Sequence, residues 1–305
     1  MKRKALAAII ALCVVTLAAC GSDPTKTTGG SGGSSDTITI GSANFPENEL
    51  LAEMYAQAIE GAGGTVNRKF NIGSREAYWK ALQDKSIDLL PEYNGALLAF
   101  LLGADGIPQD VTTPTQVTDA LNKKLPSGIV SLDPSTAEDK DMLSVTESTA
   151  KKYNLKSITD LKSVAGQLII GGSPEFQQRY QGLLGLKSVY GLDFKSYKPL
   201  DAGGPLTVGA LKDGTIDIAD IFSTDSSIKT DKFVTLDDPK NLFTAQNILP
   251  IIRKEKASDK VKAALNSVSK ALTTKNLTDY LAEVQVDKKD SKTVAKEFIE
   301  KYKIK

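Results

Sequence analysis

ALQDKSIDLLPEY, residues Ala81 to Tyr93, recurs further along the chain as ALKDGTIDIADIF, Ala210 to Phe222. An ungapped overlay matches Ala, Leu, Asp, Ile and Asp and places Tyr93 on Phe222. A second echo, Thr39-Ile40-Gly41-Ser42-Ala43-Asn44-Phe45 against Ile169-Ile170-Gly171-Gly172-Ser173-Pro174-Glu175-Phe176, needs one insertion and lies at nearly the same offset. Two coincident matches predict two similar α/β units in one chain, since a solenoid would repeat several times at a short period.

Around the first copy the pattern alternates. Thr37 to Ile40 reads as a strand, and Pro46 suits the first turn of a helix. Leu50, Leu51, Met54, Tyr55, Ala58 and Ile59 form a stripe at helical spacing, closed by Gly61-Ala62-Gly63-Gly64. Val66 to Phe70 reads as a second strand, Arg75 to Gln83 as a helix, and Ile87 to Leu90 as a buried third strand that hands on to Pro91-Glu92-Tyr93-Asn94-Gly95. Strand, helix, strand, helix, strand implies a parallel sheet. Ligands of such sheets bind beyond the carboxyl ends of the strands, and Phe45, Tyr93, Phe176 and Phe222 all fall just after predicted strands. Two facing units would bring these loops into one cleft.

Beyond the repeat, Ile129 to Leu132 and Phe233 to Leu236 read as strands, Asn247 to Ile252 as a return strand into the first unit, and Lys260 to Tyr302 as amphipathic helices. Lys288, Lys289 and Lys292 there read as a solvated face.

The N-terminus is of a different kind. Lys2, Arg3 and Lys4 precede an apolar run from Ala5 to Ala19, the pattern of a secretory signal. Leu17-Ala18-Ala19-Cys20 resembles a bacterial lipobox, which implies a lipidated Cys20. Gly21 to Asp36, rich in Gly, Ser and Thr, reads as a flexible tether. The only other cysteine, Cys13, lies within the signal, so the predicted mature domain has no internal disulfide.

Composition narrows the function. With 38 basic and 37 acidic residues, the chain has no basic excess to recruit nucleic acid. It has no histidine, which excludes Ser-His-Asp and Cys-His catalysis and histidine metal sites. It lacks the GxxxxGK[ST] loop of ATP users. Neither a cofactor nor a metal is expected.

GSANFPENELLAEMYAQAIE, IDLLPEYNGALLAFLLG, EFQQRYQGLLGLKSVYGL and ADIFSTD, taken in order, resemble the substrate-binding proteins of ABC importers for glycine betaine, choline, carnitine and related osmoprotectants. The resemblance spans nearly the whole mature domain. It implies an α/β fold of two similar lobes, the type II periplasmic-binding-protein fold, joined by two crossing strands near Ile129 to Asp133 and Thr244 to Leu249. The corresponding boundaries are 1–19 for the signal, 20–36 for the tether, 37–135 with 246–305 for lobe 1, and 136–245 for lobe 2. It further implies a monomer anchored by lipid at the outer face of the cytoplasmic membrane. Its partners would be a small-molecule ligand and an ABC permease with its ATPase subunit.

A quaternary ammonium offers no N–H, so aromatic faces hold it. On the resemblance, Tyr93 in PEYxG and Phe222 before STD are cage residues, although the family usually has tyrosine where Phe222 stands. Arg179 in EFQQR is the candidate carboxylate donor. Ser42, Asn44 and Asn94 are candidate polar contacts, with Ser42 and Asn44 equally able to cap the following helix. Asp139 is a candidate partner for a cationic group or a residue of a lobe-edge turn. The chain also departs from the pattern: Ala43 and Ala96 replace Lys and Thr of many betaine-binding relatives, and Asp133 to Asp141 contains no aromatic. These departures remove carboxylate donors and one ring while adding anions, and they leave open another small polar solute. A carboxylate-dependent hydrolase using Glu92, Asp139 and Asp220 is a third reading, with nothing in the sequence to fix the acids' separation.

Overall fold

The structure, a computed structural model, describes residues 37–305. The expected signal (1–19), tether (20–36) and lipidation site Cys20 lie outside the described residues. Among the described residues, ten strands form two sheets of five: β1 (Ile38–Gly41), β2 (Val66–Lys69), β3 (Leu89–Tyr93), β4 (Ile129–Ser131), β5 (Asp141–Val145), β6 (Ile169–Gly172), β7 (Ser196–Pro199), β8 (Ile218–Phe222), β9 (Val234–Thr235) and β10 (Ile248–Arg253). The strand orders are β2-β1-β3-β10-β4 and β7-β6-β8-β5-β9. The two orders superpose position for position, with β3 on β8 and the antiparallel β10 on the antiparallel β5. The repeat in the sequence is thus a repeat of sheets, and the architecture is α/β with two lobes.

The echoed acids explain why the repeat persists in the sequence. Asp88 accepts the N–H of Thr39 at 2.9 Å, and its counterpart Asp217 accepts that of Ile169 at 2.8 Å. In each lobe this ties the start of the third strand to the first. Asp84 likewise accepts from the Ser86 amide and Asp213 from the Thr215 amide, closing the turn that feeds the strand. These carboxylates satisfy backbone donors that the turns would otherwise leave unpaired.

Helix Pro46–Gly61 spans the range its stripe predicts, and Leu50, Leu51, Met54, Tyr55, Ala58 and Ile59 are all buried. It packs against the C-terminal helices through Leu265, Val294 and Phe298. Helix Arg75–Gln83 also falls where its pattern places it.

The third strand differs from its expected span. It begins at Leu89 and runs through Pro91 to Tyr93, so Tyr93 stands on the strand's last residue and not in a loop beyond it. A proline inside a strand ordinarily signals an edge, because it cannot donate to a ladder. Here Pro91 lies opposite Pro250 of β10, and β1 pairs with β3 only through Ile40 and Leu89. The two prolines face each other where neither neighbour requires their missing N–H. The strand expected at Phe233 to Leu236 is shorter, Val234–Thr235.

Between the lobes, residues 135–139 and 246–248 run antiparallel, joined by Ser135 N–H to Ile248 O at 2.8 Å, Ile248 N–H to Ala137 O at 3.2 Å and Asp139 N–H to Gln246 O at 3.2 Å. The crossing therefore follows β4 and precedes β10; both of those strands belong to the first sheet. Helix Asn94–Leu102 starts against this crossing. Gly95 permits it, since a Cβ there would lie 2.3 Å from the Ala245 carbonyl oxygen.

Candidate functional site

A cleft of about 360 Å³ lies between the lobes, within the range of small-molecule sites. The carboxyl ends of β1, β3, β6 and β8 all open onto it. Phe45 and Tyr93 come from the first lobe, and Phe176 and Phe222 from the second. The Phe45 ring stacks on Tyr93 with centroids 6.2 Å apart and meets Phe222 at 5.3 Å. Phe45 is therefore the middle ring of three and touches the other lobe. Phe176, buried, stacks at 6.3 Å on Tyr197 behind it.

The Tyr93 hydroxyl is fixed from below. It donates to Glu47 Oε1 at 2.7 Å, while Thr224 of the second lobe donates to Glu47 Oε2. Asp139, arriving on the crossing segment, accepts from the Thr224 amide at 3.0 Å and from the Ser223 hydroxyl at 3.2 Å. Burial, followed by the charge of Glu47, pushes the Asp139 carboxyl well above the usual range. Burial also raises Glu47, against hydrogen bonds from Thr224, Tyr93 and Asp139. Two buried carboxyls in contact cannot both ionise easily, so each holds its proton to higher pH than a free carboxyl does. Burial and the neighbouring acids raise the Tyr93 phenol, which stays neutral and keeps an electron-rich ring.

One wall is cationic, but its charges are already engaged. Arg75 binds Glu92 with two hydrogen bonds, Nε to Oε1 at 2.8 Å and Nη2 to Oε2 at 3.1 Å, and the Tyr78 hydroxyl donates to the same Oε1 at 2.8 Å. Arg179 reaches from the second lobe to Glu76 in the first, with bonds of 3.2 Å and 2.9 Å. Burial would raise the Glu76 carboxyl, yet the hydrogen bond and charge of Arg179 outweigh it and bring Glu76 down to about 2.

Of the residues singled out in the sequence, Asn44, Tyr93, Asp139, Arg179 and Phe222 line this cleft together. Arg179 does so as half of a lobe-spanning ion pair and not as an open carboxylate clamp. Ser42 and Asn94 are outside the lining. The buried Ser42 hydroxyl donates to Ala43 O at 2.9 Å and accepts from the Asn71 amide at 2.8 Å, which folds the first loop. Asn94 Oδ1 accepts from the Gly95 and Asn247 amides, both at 2.8 Å, and so pins a helix start to the crossing. Neither Ser42 nor Asn44 caps the helix at Pro46, whose N-cap is Phe45 without a side-chain bond. Glu92, outside the cleft lining, is spent on Arg75 and Tyr78.

Sequence reasoning did not select Phe45, Arg75, Tyr78, Asp141 or Gln246 as ligand contacts, although all line the cleft. The loop position of Phe45 was a usable signal. Arg75 and Tyr78 sit on a helix whose periodicity reads simply as amphipathic.

Comparison with known proteins agrees with this geometry. Residues 36–301 match the family model described as the substrate binding domain of an ABC-type glycine betaine transport system. The chain is 27% identical over 278 residues to the carnitine transport binding protein OpuCC of Listeria monocytogenes, covering 89% of each. It is 28% identical over 232 residues to a glycine-betaine-binding protein of Pseudomonas aeruginosa, covering 72% of each. A solved glycine betaine/carnitine/choline ABC transporter structure superposes with a TM-score of 0.68 at 24% identity, covering 88% of this chain and 99% of that one.

Proposed function

The chain belongs to the family of substrate-binding domains of ABC-type glycine betaine transport systems, and from that premise we propose that it captures a quaternary-ammonium compound outside the cytoplasm and presents it to an ABC permease. The observation that carries this reading is the run of three rings, Phe45, Tyr93 and Phe222, drawn from both lobes onto one cleft. A methylated ammonium within about 6 Å of such faces is held without any N–H donor. The buried Glu47 carboxyl behind Tyr93 accepts the phenol's hydrogen bond and fixes the ring's orientation.

Binding and closure are one event in this reading. Phe45 meets Phe222, Thr224 meets Glu47, and Arg179 meets Glu76 only with the lobes together, so ligand trapped between the rings stabilises the closed form that a permease can recognise. The lobes are taken as 37–135 with 246–305, and 136–245. Cys20 is the proposed lipid attachment that keeps a monomer at the outer face of the membrane, with ATP used by the permease's ATPase subunit. The protein is a receptor without turnover of its own.

The test is calorimetric titration of the purified protein with choline, glycine betaine and carnitine, alongside thermal unfolding. Ligand at about 100 times its dissociation constant should add roughly 2.7 kcal/mol to stability. Tyr93→Ala should abolish the response. Equal binding by Tyr93→Ala and the parent would refute the cage.

A further inference from the structure

Asp220 stands where folding does not require an acid. In the repeat it falls on Pro91, so the first lobe builds the same strand position without any side-chain acceptor. The other echoed acids, Asp84 with Asp213 and Asp88 with Asp217, all accept backbone amides. Asp220 accepts none: its Oδ1 is buried without a hydrogen-bond partner, and the residue is 2% exposed. Buried polar atoms in folded proteins are rarely left so.

Its direction follows from the strand. Asp220 and Phe222 are two residues apart on β8 and share a face, and both line the cleft. On the adjacent antiparallel β5, Asp141 pairs with Phe222 and Leu143 with Asp220, so Asp141 is the diagonal neighbour of Asp220 on that same face. Asp141 also lines the cleft, and its Oδ2 receives the Gln246 amide at 3.1 Å. The cations that could answer this pair, Arg75 and Arg179, are bound to Glu92 and Glu76. Burial and then the charge of Asp141 push the Asp220 carboxyl well above its usual range.

We propose that Asp220, backed by Asp141, is a specificity-determining ligand contact that takes an O–H or N–H donor carried by the cation, so that cations ending in a hydroxyl or protonated nitrogen are preferred over carboxylated betaines. This deepens the reading above and rests on a cationic ligand occupying the aromatic cleft. The ring wall reads the methylated ammonium, and the acidic wall reads the other end of the molecule. A ligand carboxylate would meet two acids there and no uncommitted guanidinium. A hydroxyl supplies the one hydrogen bond that Oδ1 lacks.

The experiment is titration calorimetry on the purified protein and on Asp220→Asn with tetramethylammonium, choline and glycine betaine. Tetramethylammonium carries the cation alone, choline adds a hydroxyl, and betaine adds a carboxylate. The parent should bind choline about tenfold or more tightly than either of the others. In Asp220→Asn the preference of choline over tetramethylammonium should shrink to within about threefold, and glycine betaine should gain about tenfold, because a carboxamide brings two N–H donors to a wall that otherwise offers acceptor oxygens. A gain cannot come from structural damage. Glycine betaine binding the parent as tightly as choline, or choline and tetramethylammonium weakening alike in the variant, would overturn the proposal. If Asp220→Asn fails to fold, the ranking of the three ligands on the parent protein decides alone. If no quaternary ammonium binds the parent, the cage reading falls, and arginine and putrescine decide for Asp220. Binding of either that is lost in Asp220→Asn upholds the donor subsite, and no binding, or binding unaffected by the substitution, overturns it.

Discussion

Phe45→Ala should weaken ligand binding more than its half-buried position suggests. The ring contributes twice. Against a quaternary ammonium it offers one aromatic face, worth about 0.5 to 2 kcal/mol depending on how dry the cleft becomes. Against Phe222 at 5.3 Å it makes a ring contact across the lobes, worth about 0.5 to 1.5 kcal/mol and present only on closure. Together these give about 1 to 3.5 kcal/mol, or roughly 5- to 400-fold in dissociation constant. Titration calorimetry with choline measures the loss, and Phe45→Leu separates its parts. Leucine restores apolar contact with Phe222 without a π face, so it should recover part of the closure energy and none of the cation contact. Phe45 packs at the margin of two core clusters and is not fully buried, so the ligand-free unfolding midpoint should fall by only a few degrees. Dissociation constants within about twofold of the parent for both variants would show that Phe45 is not a binding ring.

Other perturbations reach different layers of the same site. Glu92→Gln strands the Arg75 guanidinium, 8% exposed, without its counter-ion, and should cost about 3 to 5 kcal/mol in chemical denaturation; a loss below about 1 kcal/mol would mean that Arg75 finds another partner. Glu76→Gln removes the lobe-spanning pair with Arg179. Because both groups are substantially exposed, it should weaken ligand by at most about fivefold, and by less at high salt, so a salt-independent effect would contradict an electrostatic latch. The raised carboxyls of Asp139 and Glu47 bind more protons in the folded than in the unfolded chain between about pH 4 and their folded values. Their stabilising contribution is complete below that window and is lost as pH rises through it. Asp139→Asn should accordingly flatten the decline in stability that sets in as pH rises above about 4, and an unchanged slope would assign the decline to other groups.

Most of the scaffold was legible because its determinants are local or repeated. The stripe from Leu50 to Ile59 needs only helical periodicity, and the overlay of Tyr93 on Phe222 anticipates the equivalence of β3 and β8. The end of β3 was misplaced because the rule that proline interrupts strands is a rule about donors, and only the register shows Pro91 facing Pro250. The same holds for side-chain roles. Asn94 and Ser42 sit in the right loops by sequence, but their oxygens are consumed by the amides of Gly95, Asn247 and Asn71, partners that folding brings together. Arg179 was read as a donor from its chemistry, and its pairing with Glu76 across the cleft depends on lobe geometry that no local pattern encodes.

The polar residues of the cleft have a single chemical sense once placed in space. Ala43 is buried at the first loop and offers no charge or donor from its side chain. The crossing segment brings Asp139 to the cleft, β5 brings Asp141 and β8 brings Asp220. Each gives the cleft acceptor oxygens, while its two arginines are neutralised by Glu92 and Glu76. Burial raises all three carboxyls, and any charge that forms on them is poorly screened in a narrow cleft. Removing donors for a carboxylate and adding acceptors for a donor are therefore two halves of one shift in ligand preference. The aromatic rings retain the ammonium half of the ligand, and the acids on β5 and β8 determine which second group may accompany it.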